Sequence, residues 1–274
     1  MVCEKAHKHQ KSQINKIMAK LVVGNLKMNL LSVVERERYL NLFRKEIEKK
    51  EFSRTEVCLC PPIIHLEVFK KELGEKIAIG AQNIFWEREG SFTGEISVAM
   101  VKNFGAEYVI LGHSERRKYF GENNKTVNLK IQSALKTGMK PIACVGETIE
   151  EKKRNQTMMV ITRQLKESLF EVNRTKAENI TIAYEPVWAV GSDQVPTSND
   201  IMSAKILIRK VLIELFEKKY AEEVRIIYGG SVSTQTVKET CLDPAMDGVL
   251  IGRESLTPYE FLKITEIINR PVAF

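Results

Sequence analysis

The sequence lacks the features that mark several common protein classes. No apolar run approaches the roughly 20 residues that a membrane-spanning helix needs. No stretch rich in Pro, Gly or Ser marks a boundary between two domains. The five cysteines are odd in number and show no Cys-x-x-Cys spacing, which argues against a disulfide framework or a zinc site. Cys58 and Cys60 alternate on one face of a predicted strand, so we expect buried, free thiols that suit a reducing cytoplasm.

The composition is that of an enzyme-sized globular chain. Its 274 residues are 43% hydrophobic and 28% charged, enough for one large α/β barrel or two small domains. A formal charge of +7 raises the question of a nucleic-acid partner. However, basic and acidic residues are interleaved along residues 35–38 and 150–154, which favours solvated helix faces over a polyanion-binding surface. We therefore expect neither a nucleic-acid nor a membrane partner.

Residues 1–19 stand apart as a basic, polar N-terminal extension. They have no apolar stretch that could act as a signal peptide, and no arginine precedes Arg36, which argues against a transit peptide. His7 and His9 would suit a metal ion, but the favoured interpretation is a solvated, disordered tail. The folded domain is then expected to span residues 20–274.

Short apolar, β-branched runs alternate with longer amphipathic stretches over that domain, as in repeated βα units. The strand candidates are residues 21–24, 57–60, 77–81, 108–111, 141–145, 180–184, 225–228 and 248–251. The clearest helical patterns cover residues 33–50, 125–137, 149–172, 199–219 and 258–268. Eight such units close naturally into a single (βα)8 barrel. An open, doubly wound sheet is the alternative, but no glycine-rich dinucleotide fingerprint follows the first strand.

Three motifs lie where strand candidates end. They read NLKMN at residues 25–29, GHSERR at residues 112–117 and AYEPVWAVG at residues 183–191. Because barrel loops that follow the strands share one mouth, Lys27, His113 and Glu185 should converge there. Alone, each has an ordinary interpretation as a solvated lysine, a helix-capping histidine or a loop glutamate. Their joint placement favours a catalytic site.

With these motifs the chain resembles the triosephosphate isomerase family from about Lys20 to its C-terminus. The resemblance implies a proton transfer beside a carbonyl of a small phosphorylated sugar, with neither a cofactor nor a metal. Glu185 would be the base, His113 would polarise the carbonyl oxygen, and Lys27 would supply positive charge to the enediolate. Asn25 would orient the oxygens. Glu115 would support Lys27, although a first-turn acid that complements the helix dipole is the competing interpretation.

The resemblance also implies a phosphate site and a subunit contact. Backbone amides in the loops after strands seven and eight, at Ser231, Gly252 and Arg253, would hold the phosphate, and Gly191 would join them on loop closure. The long loop over residues 82–95 resembles the one that family members insert into a partner subunit. Thr93 would then support Lys27 of the other chain, and a cytoplasmic homodimer is expected.

The resemblance fails on the phosphate side. The mobile loop has Asp193 where family members have no acid, and Pro196 removes an amide hydrogen that would bond Tyr228. The eighth loop carries Arg253 where the family has glycine, and Leu26 replaces an aromatic residue. Two interpretations follow: an ordinary triose phosphate isomerase with altered loops, or a relative that isomerises a four-carbon ketose phosphate.

Overall fold

The computed structural model describes residues 18–189 and 195–271. Eight parallel strands pair in chain order and close into a barrel, with the first strand also paired to the eighth. The predicted (βα)8 barrel is confirmed. The strands are β1 Lys20–Asn25, β2 Thr55–Cys60, β3 Ala78–Ala81, β4 Tyr108–Leu111, β5 Lys140–Val145, β6 Thr181–Tyr184, β7 Arg225–Tyr228 and β8 Gly248–Ile251.

Helices cover the outside of the barrel. They are α1 Val33–Ile47, α2 Leu66–Leu73, α3 Val98–Asn103, α4 Ser114–Tyr119, α5 Asn124–Lys136, α6 Ile149–Lys153, α7 Thr157–Ser168, α8 Ser198–Ala221 and α9 Pro258–Asn269. Sequence periodicity did not identify the short helices α2, α3 and α4. The single helix predicted over residues 149–172 is wrong, because the chain turns at Asn155, whose φ is 56°, and forms α6 and α7 separately.

Each strand has apolar residues on both faces because both faces are buried. On β1, Val22 packs with the helices, whereas Leu21 and Val23 belong to a second cluster inside the barrel. That inner cluster also contains Cys58 and Cys60, whose sulfur atoms lie 4.0 Å apart. The near-continuous apolar strand runs in the sequence follow from this two-sided packing.

The N-terminal ends of the strands carry a polar network. The Tyr108 hydroxyl donates to Glu56 at 2.6 Å, and the Arg225 guanidinium lies 2.8 Å from the same carboxylate. Lys140 approaches Glu56 at 3.3 Å. Burial alone would raise the pKa of Glu56, but the Tyr108 hydrogen bond and the two cations outweigh it and hold that pKa below its ordinary value.

Among the described residues, no helix is long and apolar enough to cross a membrane.

Candidate active site

Three side chains that are distant in the sequence meet at the C-terminal mouth of the barrel. Lys27 follows β1, His113 follows β4 and Glu185 follows β6. His113 Nε2 lies 3.1 Å from Glu185 Oε1, and Lys27 Nζ hydrogen-bonds to Glu115. Glu115 Oε2 lies 3.6 Å from His113 Nδ1 and so completes one connected cluster. The predicted convergence of these residues is therefore present in the folded chain.

Glu185 is buried at the end of β6, with 2% of its surface exposed. Its backbone N–H donates to Val145 O at 2.8 Å, and its Oε2 accepts from the Ser114 N–H at 2.9 Å. Burial raises the pKa of the neighbouring Cys144 thiol, and the negative charge of Glu185 adds to that rise. The carboxylate thus faces a thiol that stays protonated and does not compete with it as a base.

Two glycines make room for Glu185. A Cβ added to Gly146 would lie 1.7 Å from Glu185 O, and one added to Gly229 would lie 2.9 Å from Glu185 Cγ. Both distances are shorter than carbon and oxygen atoms tolerate without a shift. The loop after β7 is therefore in direct contact with the proposed base.

The hydrogen bonds of His113 define its tautomer. Its Nδ1 accepts from the Glu115 N–H at 3.3 Å, which assigns the ring proton to Nε2. The Nε2–H therefore points to Glu185. This imidazole is held as a hydrogen-bond donor towards the middle of the mouth.

The backbone of Lys27 has an unusual conformation. Its φ is 50°, a left-handed conformation that side-chain-bearing residues adopt rarely. The Lys27 N–H donates to Asn25 Oδ1 at 3.1 Å, and the Gln82 amide donates to Lys27 O at 2.9 Å. Asn25 therefore orients the backbone of Lys27. Gln82, which sequence reasoning did not single out, supports it from the end of β3.

The predicted phosphate loops flank this cluster. Gly252 lies beside Lys27, because a Cβ added there would be 3.2 Å from Lys27 Cε. Ser231 and Arg253 are exposed, and neither hydrogen-bonds to Lys27, His113 or Glu185. Arg253 opens a short helical turn, Arg253–Leu256, directly after β8.

Of the other predicted positions, Thr93 and Pro196 form no hydrogen bond to Lys27, His113 or Glu185 within the described part of the chain. Gly191 and Asp193 lie outside the described residues. Thr93 is exposed in a loop whose Phe85 and Phe92 rings lie 4.7 Å apart. Pro196 is buried and lacks an N–H, and the buried Tyr228 hydroxyl has no hydrogen-bond partner among the residues that the structure describes.

Glu147 is a buried residue that sequence reasoning missed. It lies two residues after β5 and accepts from Trp188 Nε1 at 2.9 Å. Lys152 Nζ lies 3.3 Å from the Trp188 ring centroid. Burial raises the pKa of Glu147, although the Trp188 hydrogen bond works against that rise. Together these contacts fix the segment that follows Glu185. The position of Glu147 after a barrel strand was the available signal.

Arg117 is half-buried and donates to neighbouring backbone and side-chain oxygens. Its Nε donates to Gly112 O at 2.8 Å and its terminal nitrogens reach Asn124 and the Cys144 carbonyl. Burial lowers its pKa. The side chain joins the ends of β4 and β5 and so fixes the strand that positions His113.

In the described part of the chain, no group of His, Cys, Asp or Glu could hold a metal ion. The barrel brings together a buried carboxylate, an imidazole N–H donor and an ammonium group at its mouth, a set suited to proton transfer on carbon. The chain belongs to the triosephosphate isomerase family, whose model matches residues 20–268.

Curated relatives support this assignment over nearly their whole length. A triosephosphate isomerase from Carboxydothermus hydrogenoformans is 46% identical over 79% of this chain and 87% of its own. Those from Dictyoglomus turgidum and Thermodesulfovibrio yellowstonii are each 42% identical over 89% and 90% of this chain and 98% of their own.

Proposed function

We propose that this chain interconverts dihydroxyacetone phosphate and D-glyceraldehyde 3-phosphate. The main support for the proposal is that Glu185 Oε1 and His113 Nε2 face each other 3.1 Å apart. The ion pair of Lys27 with Glu115 lies beside them. A base and a donor that face each other can act on the C–H and C=O groups of one small substrate. The relatives that bear the name triosephosphate isomerase support this choice of substrate.

The geometry implies a sequence of proton transfers. Glu185 removes a proton from the carbon next to the carbonyl, and its electron pair forms the enediolate double bond. The His113 Nε2–H stabilises the negative oxygen, and the Lys27 ammonium adds fixed positive charge. The hydroxyl proton then moves from the oxygen of the first carbon to the negative oxygen of the second, and Glu185, now protonated, returns its proton to the second carbon as the new carbonyl forms at the first. The pairing of a glutamate base with a neutral histidine is the standard description of this family.

Substrate binding must rearrange the site before this chemistry. Both oxygens of Glu185 are already engaged, one with the Ser114 N–H and one facing His113. The substrate therefore has to replace the His113 contact with its own carbonyl oxygen.

The phosphate group is proposed to bind between the loops after β7 and β8. Backbone N–H groups near Ser231 and Gly252 are the expected donors, with Gly191 as a further donor. The proximity of Gly252 to Lys27 and of Gly229 to Glu185 supports this arrangement. The Arg253 guanidinium adds a charged donor that suits a phosphate dianion.

The four-carbon ketose phosphate is not favoured as the substrate. Eight curated relatives at 39–46% identity all bear the name triosephosphate isomerase. The changes at Pro196 and Arg253 are then tolerated within the ordinary activity.

We also propose a homodimer in the cytoplasm. Met28 and Ile64 have 88% and 77% of their surface exposed, in the loops after β1 and β2. His65 joins these loops through a 2.8 Å hydrogen bond to Leu30 O. Such an apolar surface beside Lys27 suits a second copy whose Thr93 loop covers it. The four buried free cysteines of the described chain support a reducing compartment.

Replacement of the proposed base tests the function. Glu185→Gln keeps the size of the side chain but removes its basicity, so kcat should fall by about 10²–10⁴-fold, the usual contribution of a general base. Glu67→Gln, on the exposed surface of α2, is the matched control. Triose phosphate turnover within three-fold of wild type for Glu185→Gln would refute the assignment of the base.

A further inference from the structure

Gln164 is a buried polar residue whose role the sequence does not indicate. It lies on α7, on the same face as the buried residues Ile161 and Leu165, and only 8% of its surface is exposed. Burying an amide away from water is unfavourable unless its carbonyl and NH2 groups are hydrogen-bonded. The partners of this amide therefore show what the residue holds in place.

Both hydrogen-bond partners of Gln164 belong to Gly146, the first residue after β5. The Gly146 N–H donates to Gln164 Oε1 at 2.8 Å, and Gln164 Nε2 donates to Gly146 O at 3.1 Å. In a sheet, a residue of a neighbouring strand exchanges the same two hydrogen bonds. The ladder between β4 and β5 ends at the pair of Leu111 with Ala143, before Gly146 is reached. The Gln164 amide thus takes the place of a strand at the mouth of the barrel.

Gly146 in turn lies against the proposed base. A Cβ added to it would be 1.7 Å from Glu185 O and 2.6 Å from Glu185 C, so the two backbones are in direct contact. The residues before and after Gly146 bind the same segment. Val145 O accepts from the Glu185 N–H at 2.8 Å, and Glu147 O accepts from the Val187 N–H at 3.1 Å. The chain that follows β5 therefore supports the chain that follows β6.

We propose that Gln164 is a positioning residue for the isomerase reaction, because it holds the backbone against which Glu185 is placed. The inference rests on the proposed role of Glu185 as the base. Without the amide, Gly146 would have an unpaired, buried N–H and C=O, and it would shift towards new partners. Since the Gly146 backbone touches Glu185, that shift would move the base, whose position relative to the substrate carbon has to be held to within about 0.5 Å.

Two matched substitutions separate positioning from stability. Gln164→Met keeps the length of the side chain and removes both hydrogen bonds. Asn128→Leu is the control, because Asn128 is also 8% exposed and its amide also binds the backbone, at Ser168 O and Phe170 O. Both variants should melt several degrees below the wild type. Only Gln164→Met should lose kcat on D-glyceraldehyde 3-phosphate, by about ten-fold or more, with KM within about two-fold of wild type.

Gln164→Glu adds a pH profile that a purely structural role would not change. A protonated carboxyl replaces both bonds of the amide, since its C=O accepts from the Gly146 N–H and its O–H donates to Gly146 O. The ionised carboxylate has no donor, and burial raises the pKa of an introduced carboxyl above the ordinary value of about 4.3. The ratio of its kcat to that of the wild type should therefore fall by about ten-fold between about pH 5 and about pH 8. The same ratio for Asn128→Asp should not change with pH.

Each other result overturns the inference. An unchanged kcat in Gln164→Met, or an equal loss in Asn128→Leu, would make Gln164 a purely structural residue, and a loss confined to KM would do the same. A ratio for Gln164→Glu that does not change with pH would show that the bond to Gly146 O does not position the base, and this profile decides the matter if Gln164→Met fails to fold. Absence of triose turnover in the wild type would instead overturn the proposed function, and this inference with it.

Discussion

Gly229→Ala is a sharp test of how closely the β7 loop positions the proposed base. The added Cβ would lie 2.9 Å from Glu185 Cγ. The Gly229 N–H is bonded to Tyr184 O at 2.8 Å, so the loop backbone is fixed. The φ of Gly229 is not positive, and alanine therefore fits its backbone. The Glu185 side chain has to move instead.

The size of the effect follows from that distance. Carbon atoms pack best about 3.5–4.0 Å apart, so the Glu185 side chain must shift by about 0.6–1 Å. A misplacement of about 1 Å in a catalytic group lowers the rate by about 10²-fold. That loss corresponds to about 2.7 kcal/mol in the activation free energy. We expect it in kcat, with little change in KM, because the base acts on the reacting carbon and not on the phosphate.

Steady-state kinetics on D-glyceraldehyde 3-phosphate, with circular dichroism to verify folding, would measure this effect. Gly138→Ala is the control: its Cβ would enter open space, although a φ of 74° introduces about 1–2 kcal/mol of backbone strain. It should lose stability without losing activity. A folded Gly229→Ala protein with kcat within two-fold of wild type would refute the claimed contact.

Three further changes address the remaining parts of the site and the barrel. Lys27→Met should lower kcat/KM by about 10²-fold or more, because the enediolate loses its fixed cation; a loss below ten-fold would contradict this role. Arg253→Gln should raise KM by about three- to ten-fold with kcat unchanged, since a charged hydrogen bond to phosphate is worth about 1 kcal/mol when exposed; unchanged KM would show that Arg253 does not reach the phosphate. The pKa of Glu56 is lower in the folded state than its ordinary value of 4.5, so the ionised carboxylate stabilises the fold at pH values above 4.5. This stabilisation is lost as the pH falls through the pKa that Glu56 has in the folded state. Glu56→Gln should therefore flatten the acid limb of a urea-denaturation profile between pH 5 and pH 3, and an unchanged limb would exclude this network as its source.

The barrel was predictable because both faces of each strand are buried. Residues such as Val22 and Val23 are both apolar for this reason, and their runs stand out from the helices between them. Short helices such as α3 and α4 have too few turns to show a period. The turn at Asn155 depends on the positive φ of that single residue, which the spacing of hydrophobic residues does not reveal.

The sequence predicted only those site residues whose position follows directly from the barrel geometry. Lys27, His113 and Glu185 each follow a strand, and parallel strands carry their ends to the same mouth. Gln82 and Glu147 were missed because their contacts join loops that are far apart in the sequence. Their roles depend on which backbone atom or ring lies within hydrogen-bond distance, and that is fixed only in the folded chain.

The most direct test of the account is kcat/KM of the full-length chain on D-glyceraldehyde 3-phosphate, compared with both enantiomers of erythrulose 4-phosphate. Triosephosphate isomerases are standard examples of enzymes near the diffusional ceiling of about 10⁸–10⁹ M⁻¹ s⁻¹. We expect the efficiency on the triose to approach this ceiling and to far exceed that on either tetrulose phosphate. Weak turnover of the triose beside strong turnover of a tetrulose phosphate would contradict it.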